Sequence, residues 1–359
     1  MRINVTKSFL PPKDDYLRLV DRIWETGHLT NQGPCVTELE QKLTKYLDVP
    51  FLQFCSNGTI ALQLALRVLD ITQGDIITTP FSYVATTSSI LWERCHPVFV
   101  DIDPATYCID VSKIEAAITP ATRAIMAVHV FGYPCDVEGI ERIAKKHNLK
   151  VIYDAAHAFG TRYKGRSLLS YGDVATCSFH ATKLFHTVEG GAVVVHDEVA
   201  HKKLSKLKSF GHMGDDHFCL GINGKNSEFH AAMGLANLPH ITEIMADRKR
   251  VADIYTRELG GIIGRPQVPA GLEYNYAYYP ALFQSEQHLI NVVAALNAAD
   301  IFPRRYFYPS LNTLPYLNEK TSCPVSEDIA SRIACLPLFV GLADENVRRI
   351  TDIIKSTKV

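Results

Sequence analysis

Between residues 50 and 197, short runs of apolar and β-branched residues alternate with stretches whose apolar positions recur at helical spacing. The first kind comprises PFLQFCS, DIITTPFSY, HPVFVDID, RAIMAVHVFG, KVIYDAAHAFG, VATCSFH and GGAVVVHD, and reads as strands apolar on both faces. The second kind, including TIALQLALRVLD (59–70) and DVEGIERIAKKHN (136–148), reads as helices. Strands of this character separated by helices predict an α/β fold with a largely parallel sheet covered on both sides.

Beyond about residue 240 the pattern changes. A long helical stretch near 239–259 leads into YNYAYYPALF, the helical EQHLINVVAALNAAD, a turn FPRRYFYPSL and a last helix DENVRRITDIIKS. The expected organisation is a large domain over 12–240 and a smaller α+β domain over 241–359, which residues 1–11 can join.

In a parallel sheet flanked by helices, ligands bind at the carboxyl ends of the strands. Three chemically suggestive segments follow strand candidates: Ser56-Asn57-Gly58-Thr59, Asp154 with His157, and Ser178 to Lys183. They therefore point to one crevice.

Charge narrows the partners. The 359 residues carry 37 basic and 38 acidic side chains, a net of -1, so no broad field marks the chain for nucleic acid or a membrane surface. The nine cysteines are scattered without a C-x-x-C pair, against a disulfide framework or a zinc site and in keeping with thiols in a reducing cytoplasm. MRINVTKSFLPPKDDY lacks the apolar core of a signal peptide, and no run reaches the ~18 apolar residues of a membrane span. The expectation is a soluble cytoplasmic protein.

Lys183 lies in SFHATKLFH among Phe179, Phe185, His180 and His186. Such surroundings strip water from an ammonium group and favour the free amine, a nucleophile toward aldehydes; a lysine snorkelling from a strand end fits the segment equally. Asp154 ends an apolar strand, where a carboxylate needs a cation or donors, or else caps the next turn. Gly58 and Thr59 open a helix whose free amides suit a phosphate, although ordinary capping explains the same residues; Ser178 adds a hydroxyl at a neighbouring strand end. Taken together, a nucleophilic lysine, a buried aspartate and a helix-start phosphate cradle are the handles that pyridoxal 5'-phosphate requires.

Competing motifs are incomplete. GINGKNS (221–227) lacks the glycine and Ser/Thr spacing of a phosphate-binding loop, and HDEVAH (196–201) separates its histidines by five positions where a zinc helix needs four. No metal site is expected.

The ordered segments TNQGP, SNGT, PFSYVAT, PVFVDID, HVFGYPCD, YDAAHAFG, SFHATK, EGG, GINGKNSE and LPLF resemble, across nearly the whole chain, the DegT/DnrJ/EryC1/StrS family of fold-type I sugar aminotransferases. The resemblance implies an aspartate aminotransferase-like fold, with Lys183 as the lysine that binds the cofactor's aldehyde and then moves protons. It makes Asp154 the partner of the pyridinium nitrogen and places His157 beside the ring. Gly58, Thr59 and Ser178 then hold the phosphate, and Tyr83 stacks on the ring. Asn223 matches a residue that reaches the phosphate of a neighbouring subunit, which implies a homodimer with shared active sites. SFHATK keeps the lysine that dehydrating relatives replace by histidine, so amino transfer is implied. With FPRRYFYP in place of the more usual histidine-tyrosine-proline, the chain is most similar to members that use L-glutamate to aminate C4 of dTDP-4-dehydro-6-deoxy-D-glucose. A UDP-linked 4-keto sugar or a 3-keto isomer stays open as the acceptor, as does a non-catalytic paralogue.

A diphosphate-bearing substrate requires positive charge, for which Lys225, Arg304 and Arg305 are candidates. A solvated basic turn explains the same arginines. His180, His186 and Tyr308 are further candidates for contact with the sugar or its base, against second-sphere histidines and aromatic packing between domains.

Overall fold

The computed structural model describes residues 2–317 and 320–358. Its centre is a seven-stranded sheet in the order Phe51–Cys55, Gly191–Val195, Val174–Ser178, Lys150–Asp154, Thr122–Val128, Gly74–Thr78, Cys95–Phe99. Only Gly191–Val195 runs against its two neighbours; the other pairings are parallel. All seven apolar runs of the sequence supply one strand each.

Both faces are covered, as continuous apolar runs require. Ile76, Ile152, Val174 and Val193 pack with Leu62, Leu66 and Leu204 on one side. Their neighbours Ile77, Val151, Tyr153 and Val194 join Leu39, Leu43 and Leu47 on the other. The period-two alternation of a strand thus feeds two cores. A further core unites Val251, Tyr255 and Leu259 of the helix Ile241–Leu259 with Leu289, Val347 and Ile350. Ile3 belongs to it, through the parallel pairing of Ile3–Asn4 with Ile301–Phe302.

Two boundaries differ from the sequence pattern in ways that shape the site. The strand within RAIMAVHVFG stops at Val128, because Phe131 adopts φ 55° and turns the chain into a short 3-10 segment. That backbone state is uncommon for a bulky residue; here the Phe131 N–H donates to His157 Nδ1 at 3.2 Å and the ring stacks on Phe307 at 5.4 Å. Residues Ala85–Trp92, where PFSYVAT gave no helical signal, form a helix with Thr86, Thr87 and Ser89 buried. The two incomplete motifs are helix starts: Asp197 Oδ1 caps the Ala200 amide and Ser227 Oγ the His230 amide.

Among the described residues no helix is long and apolar enough to cross a membrane.

Candidate active site

A cavity of about 550 Å³ opens at the carboxyl ends of the central strands. Gly58, Thr59, Tyr83, Asp154, His157, Ser178, His180, Lys183 and Arg304 all line it. The strand order therefore brings the three separated segments into one crevice.

Lys183 sits on a turn just beyond Val174–Ser178, its amide donating to His180 O at 2.8 Å. The N-terminal segment covers this turn from outside, Ser8 Oγ donating to Ala181 O at 2.6 Å. Lys183, which lines the cavity, donates from Nζ to the hydroxyl of Tyr278 at 3.2 Å.

Asp154 is buried at the end of its strand. Oδ2 accepts from Thr86 Oγ1 at 2.8 Å, itself bonded to Ser82, and Oδ1 accepts from the Ala156 amide at 3.1 Å. Burial nevertheless holds the carboxyl above its ordinary pKa, against these donors and the Lys183 charge. A carboxylate so placed gains most from a further cation in the cavity, and the protonated ring nitrogen of pyridoxal phosphate is such a cation.

His157 accepts the Phe131 amide at Nδ1, which assigns its ring proton to Nε2. Burial, and then the Lys183 charge, push its pKa well below the usual value, so the imidazole is neutral and a donor. Its ring stacks on Phe307 at 5.5 Å and meets the edge of Tyr278 at 4.8 Å.

The phosphate end is defined by close approach. Asn57 Oδ1 caps the Ile60 amide at 2.9 Å, leaving the amides of Gly58 and Thr59 in the first turn, which no helical carbonyl serves. A Cβ on Gly58 would lie 2.9 Å from Ser178 Cβ and 3.2 Å from its Oγ. Glycine is what permits the helix start and the serine hydroxyl to face one small anion. The helix-start amides with Ser178, the buried Asp154 carboxyl and the Lys183 amine, lining one cavity, fit pyridoxal phosphate.

Five predicted residues do not line the cavity. His186 is buried, its ring nitrogens engaged by Phe9 O at 2.6 Å and the Val188 amide at 3.2 Å, so its role here is to hold the turn after Lys183. Arg305 is bound to Glu286 and Ser331 O and lies over the ring of Tyr308. Asn223 and Lys225 lie on the segment after the hairpin His212–His217, with Lys225 over Phe210. Arg304 does face the cavity, over Tyr306 at 4.9 Å. Tyr278, Thr86 and Ser82 escaped sequence reading; Thr86 belongs to the PFSYVAT motif, but nothing local marks Tyr278 among its neighbouring tyrosines.

A lysine amine, a buried carboxylate and helix-start amides lining one cavity of this fold fit a pyridoxal phosphate enzyme, and its relatives give its class as an aminotransferase. The chain belongs to the DegT/DnrJ/EryC1/StrS aminotransferase family, whose profile matches residues 12–355. It is 42% identical to a dTDP-4-amino-4,6-dideoxy-D-glucose transaminase of Shigella dysenteriae, covering 99% of both chains. It is 39% identical to the Escherichia coli transaminase of the same name, covering 98% of each. Among solved structures, DesI crystallised in the presence of its TDP-sugar product matches with a TM-score of 0.93 at 30% identity, over 99% of this chain and 92% of that one.

Proposed function

We propose that this enzyme moves the amino group of L-glutamate to the C4 ketone of dTDP-4-dehydro-6-deoxy-D-glucose, giving dTDP-4-amino-4,6-dideoxy-D-glucose and 2-oxoglutarate. The near-complete overlap with two relatives of that activity supports the sugar. The observation that carries the chemistry is that Lys183, Asp154, Gly58 and Ser178 line one cavity, with Lys183 Nζ hydrogen-bonded to Tyr278 Oη.

When bound, pyridoxal phosphate supplies an aldehyde for amines and a ring that withdraws electrons from the substrate carbon. Lys183 would hold the aldehyde through its amine, and the same Nζ, when free, would serve as the base that takes a proton from the substrate carbon. Asp154 would keep the ring nitrogen protonated, and His157 would offer its Nε2–H as a donor in the same cavity. Gly58, Thr59 and Ser178 would anchor the phosphate, and Tyr83 would offer an aromatic face in the same cavity. Arg304 receives the anionic end of donor or acceptor, a role that Arg305 cannot share while held by Glu286.

The active form in this reading is a homodimer whose neighbouring subunit brings Asn223, and beside it Lys225, to the phosphate end. The exposed aromatic and aliphatic side chains Phe210, Met213, Phe218 and Leu220 on the same segment support an interface there. The reading places the enzyme in the cytoplasm, supplying a deoxyamino sugar for a glycan such as O-antigen lipopolysaccharide.

Mixing inactive Lys183→Ala subunits with impaired Asn223→Ala subunits tests the shared site. Mixed dimers carry both defects in one site and none in the other, so roughly a quarter of wild-type activity returns after random exchange. No recovery, with mixed dimers demonstrated by mass, contradicts the sharing.

A further inference from the structure

Tyr278 Oη is the only side-chain hydrogen-bond partner of Lys183 Nζ among the described residues. Because the lysine donates, the tyrosine oxygen fixes the direction of one N–H and with it the amine's orientation. The position of that oxygen is set by unusual means. Tyr278 lies on an irregular stretch pinned at every step: Asn275 Nδ2 donates to His157 O at 2.8 Å and Phe159 O at 2.9 Å, and its Oδ1 accepts the Ala277 amide at 3.0 Å. Tyr274 Oη reaches Phe131 O at 2.8 Å and Tyr278 O at 3.0 Å.

Behind this stretch stands Arg248 of the helix Ile241–Leu259, 5% exposed. Among the described residues it forms no ion pair; Nε donates to Tyr276 O at 2.9 Å and an Nη to Ala277 O at 2.6 Å. Burial pushes its pKa down to about 10. A buried guanidinium without a carboxylate is costly, and an apolar side chain of similar size would fill the space more cheaply. What an apolar residue cannot do is hold two consecutive carbonyls and so fix the residue that follows them.

We propose that Tyr278 is a catalytic residue that orients the Lys183 amine, and that Arg248 is the residue that positions it. The inference rests on the pyridoxal phosphate reading of the site and says nothing of the donor or the sugar. When Lys183 is free, its bond to Tyr278 Oη fixes where the nitrogen stands in the cavity, and so the approach to an aldehyde carbon or a substrate proton.

The test uses the dimeric apoprotein. Absorbance after mixing with pyridoxal phosphate gives the rate at which Lys183 captures the aldehyde, and rapid mixing of holoenzyme with glutamate gives the first half-reaction. Tyr278→Phe is expected to slow both by ~10-fold or more, with KM for glutamate within about twofold and the apoprotein's thermal midpoint unchanged. Arg248→Met is expected to reproduce the slower capture, and the double variant to be no slower than Tyr278→Phe alone. Wild-type capture and half-reaction rates in Tyr278→Phe overturn the proposal. Folded Arg248→Met with wild-type capture overturns the positioning role; if that variant does not fold, Arg248→Lys, which cannot hold both carbonyls as the planar fork does, gives the same decision. Failure of wild-type protein to capture pyridoxal phosphate would instead strike the cofactor reading itself.

Discussion

The cradle formed by Gly58 and Ser178 makes a quantitative demand on the cofactor site. In Gly58→Ala the new Cβ would stand 2.9 Å from Ser178 Cβ, 3.2 Å from Oγ and 3.5 Å from Cα. Ser178 cannot yield easily, because it is paired with Gly191 at the end of an interior strand. The apoprotein relaxes by moving the helix start away from the serine, but a phosphate needs both at once. Restoring that approach costs about 1–3 kcal/mol, the usual penalty for overpacking, so the Kd for pyridoxal phosphate should rise by ~5- to 150-fold. Fluorescence titration of apoprotein measures it. Ser178→Gly removes the obstructing Cβ together with one phosphate donor and should weaken binding by about 1 kcal/mol on its own. The double variant should then bind no more weakly than Ser178→Gly. Additive losses, or an unchanged Kd in Gly58→Ala, would refute the steric reasoning.

Replacing Asp154 by asparagine keeps a partner for Thr86 and removes the charge. Loss of a charged hydrogen bond of about 1.5–3 kcal/mol should weaken pyridoxal phosphate by ~10- to 150-fold, and Thr86→Val by less, about 1 kcal/mol, in the same titration. The apoprotein of Asp154→Asn should be at least as resistant to urea, since an ionised carboxylate held above its ordinary pKa by burial destabilises the fold. Acid stability follows from the buried histidines. Burial pushes the pKa of His129 down to about 3, against ~6.5 in an unfolded chain, so between those values only the unfolded chain takes the proton. Stability contributed by the neutral ring is complete above pH ~6.5 and is lost as pH falls, about 2 kcal/mol at pH 5 from His129 alone, with His157 and His186 adding in the same direction. A urea midpoint at pH 5 equal to that at pH 7.5 would contradict this.

Much of the fold was legible because the central strands are apolar on both faces and helices such as Gly58–Val68 and Val137–His147 bury apolar positions at helical spacing. Lys183, Asp154 and Gly58 came into view for a related reason: Asp154 ends a strand and the other two follow one within a few residues, where topology sends side chains to one edge. Thr86 was hidden because Ala85–Trp92, rich in hydroxyl residues of low helix propensity, is helical through burial. Tyr278 and Arg248 are separated from Lys183 by long stretches of chain, and nothing local distinguishes that tyrosine from Tyr274, Tyr276 or Tyr279. Arg304 and Arg305 are adjacent in sequence, and only the packed backbone shows that the first faces the cavity while the second is held by Glu286. Asn223 and Lys225 lie outside the cavity of their own chain.

The most direct measurement is the end point of purified protein with pyridoxal phosphate, L-glutamate and dTDP-4-dehydro-6-deoxy-D-glucose, the product being identified by mass and NMR. The expected result is an amine at C4 with an equal amount of 2-oxoglutarate. Conversion of the cofactor to its amine form by glutamate, with no amino sugar formed, would contradict the sugar assignment.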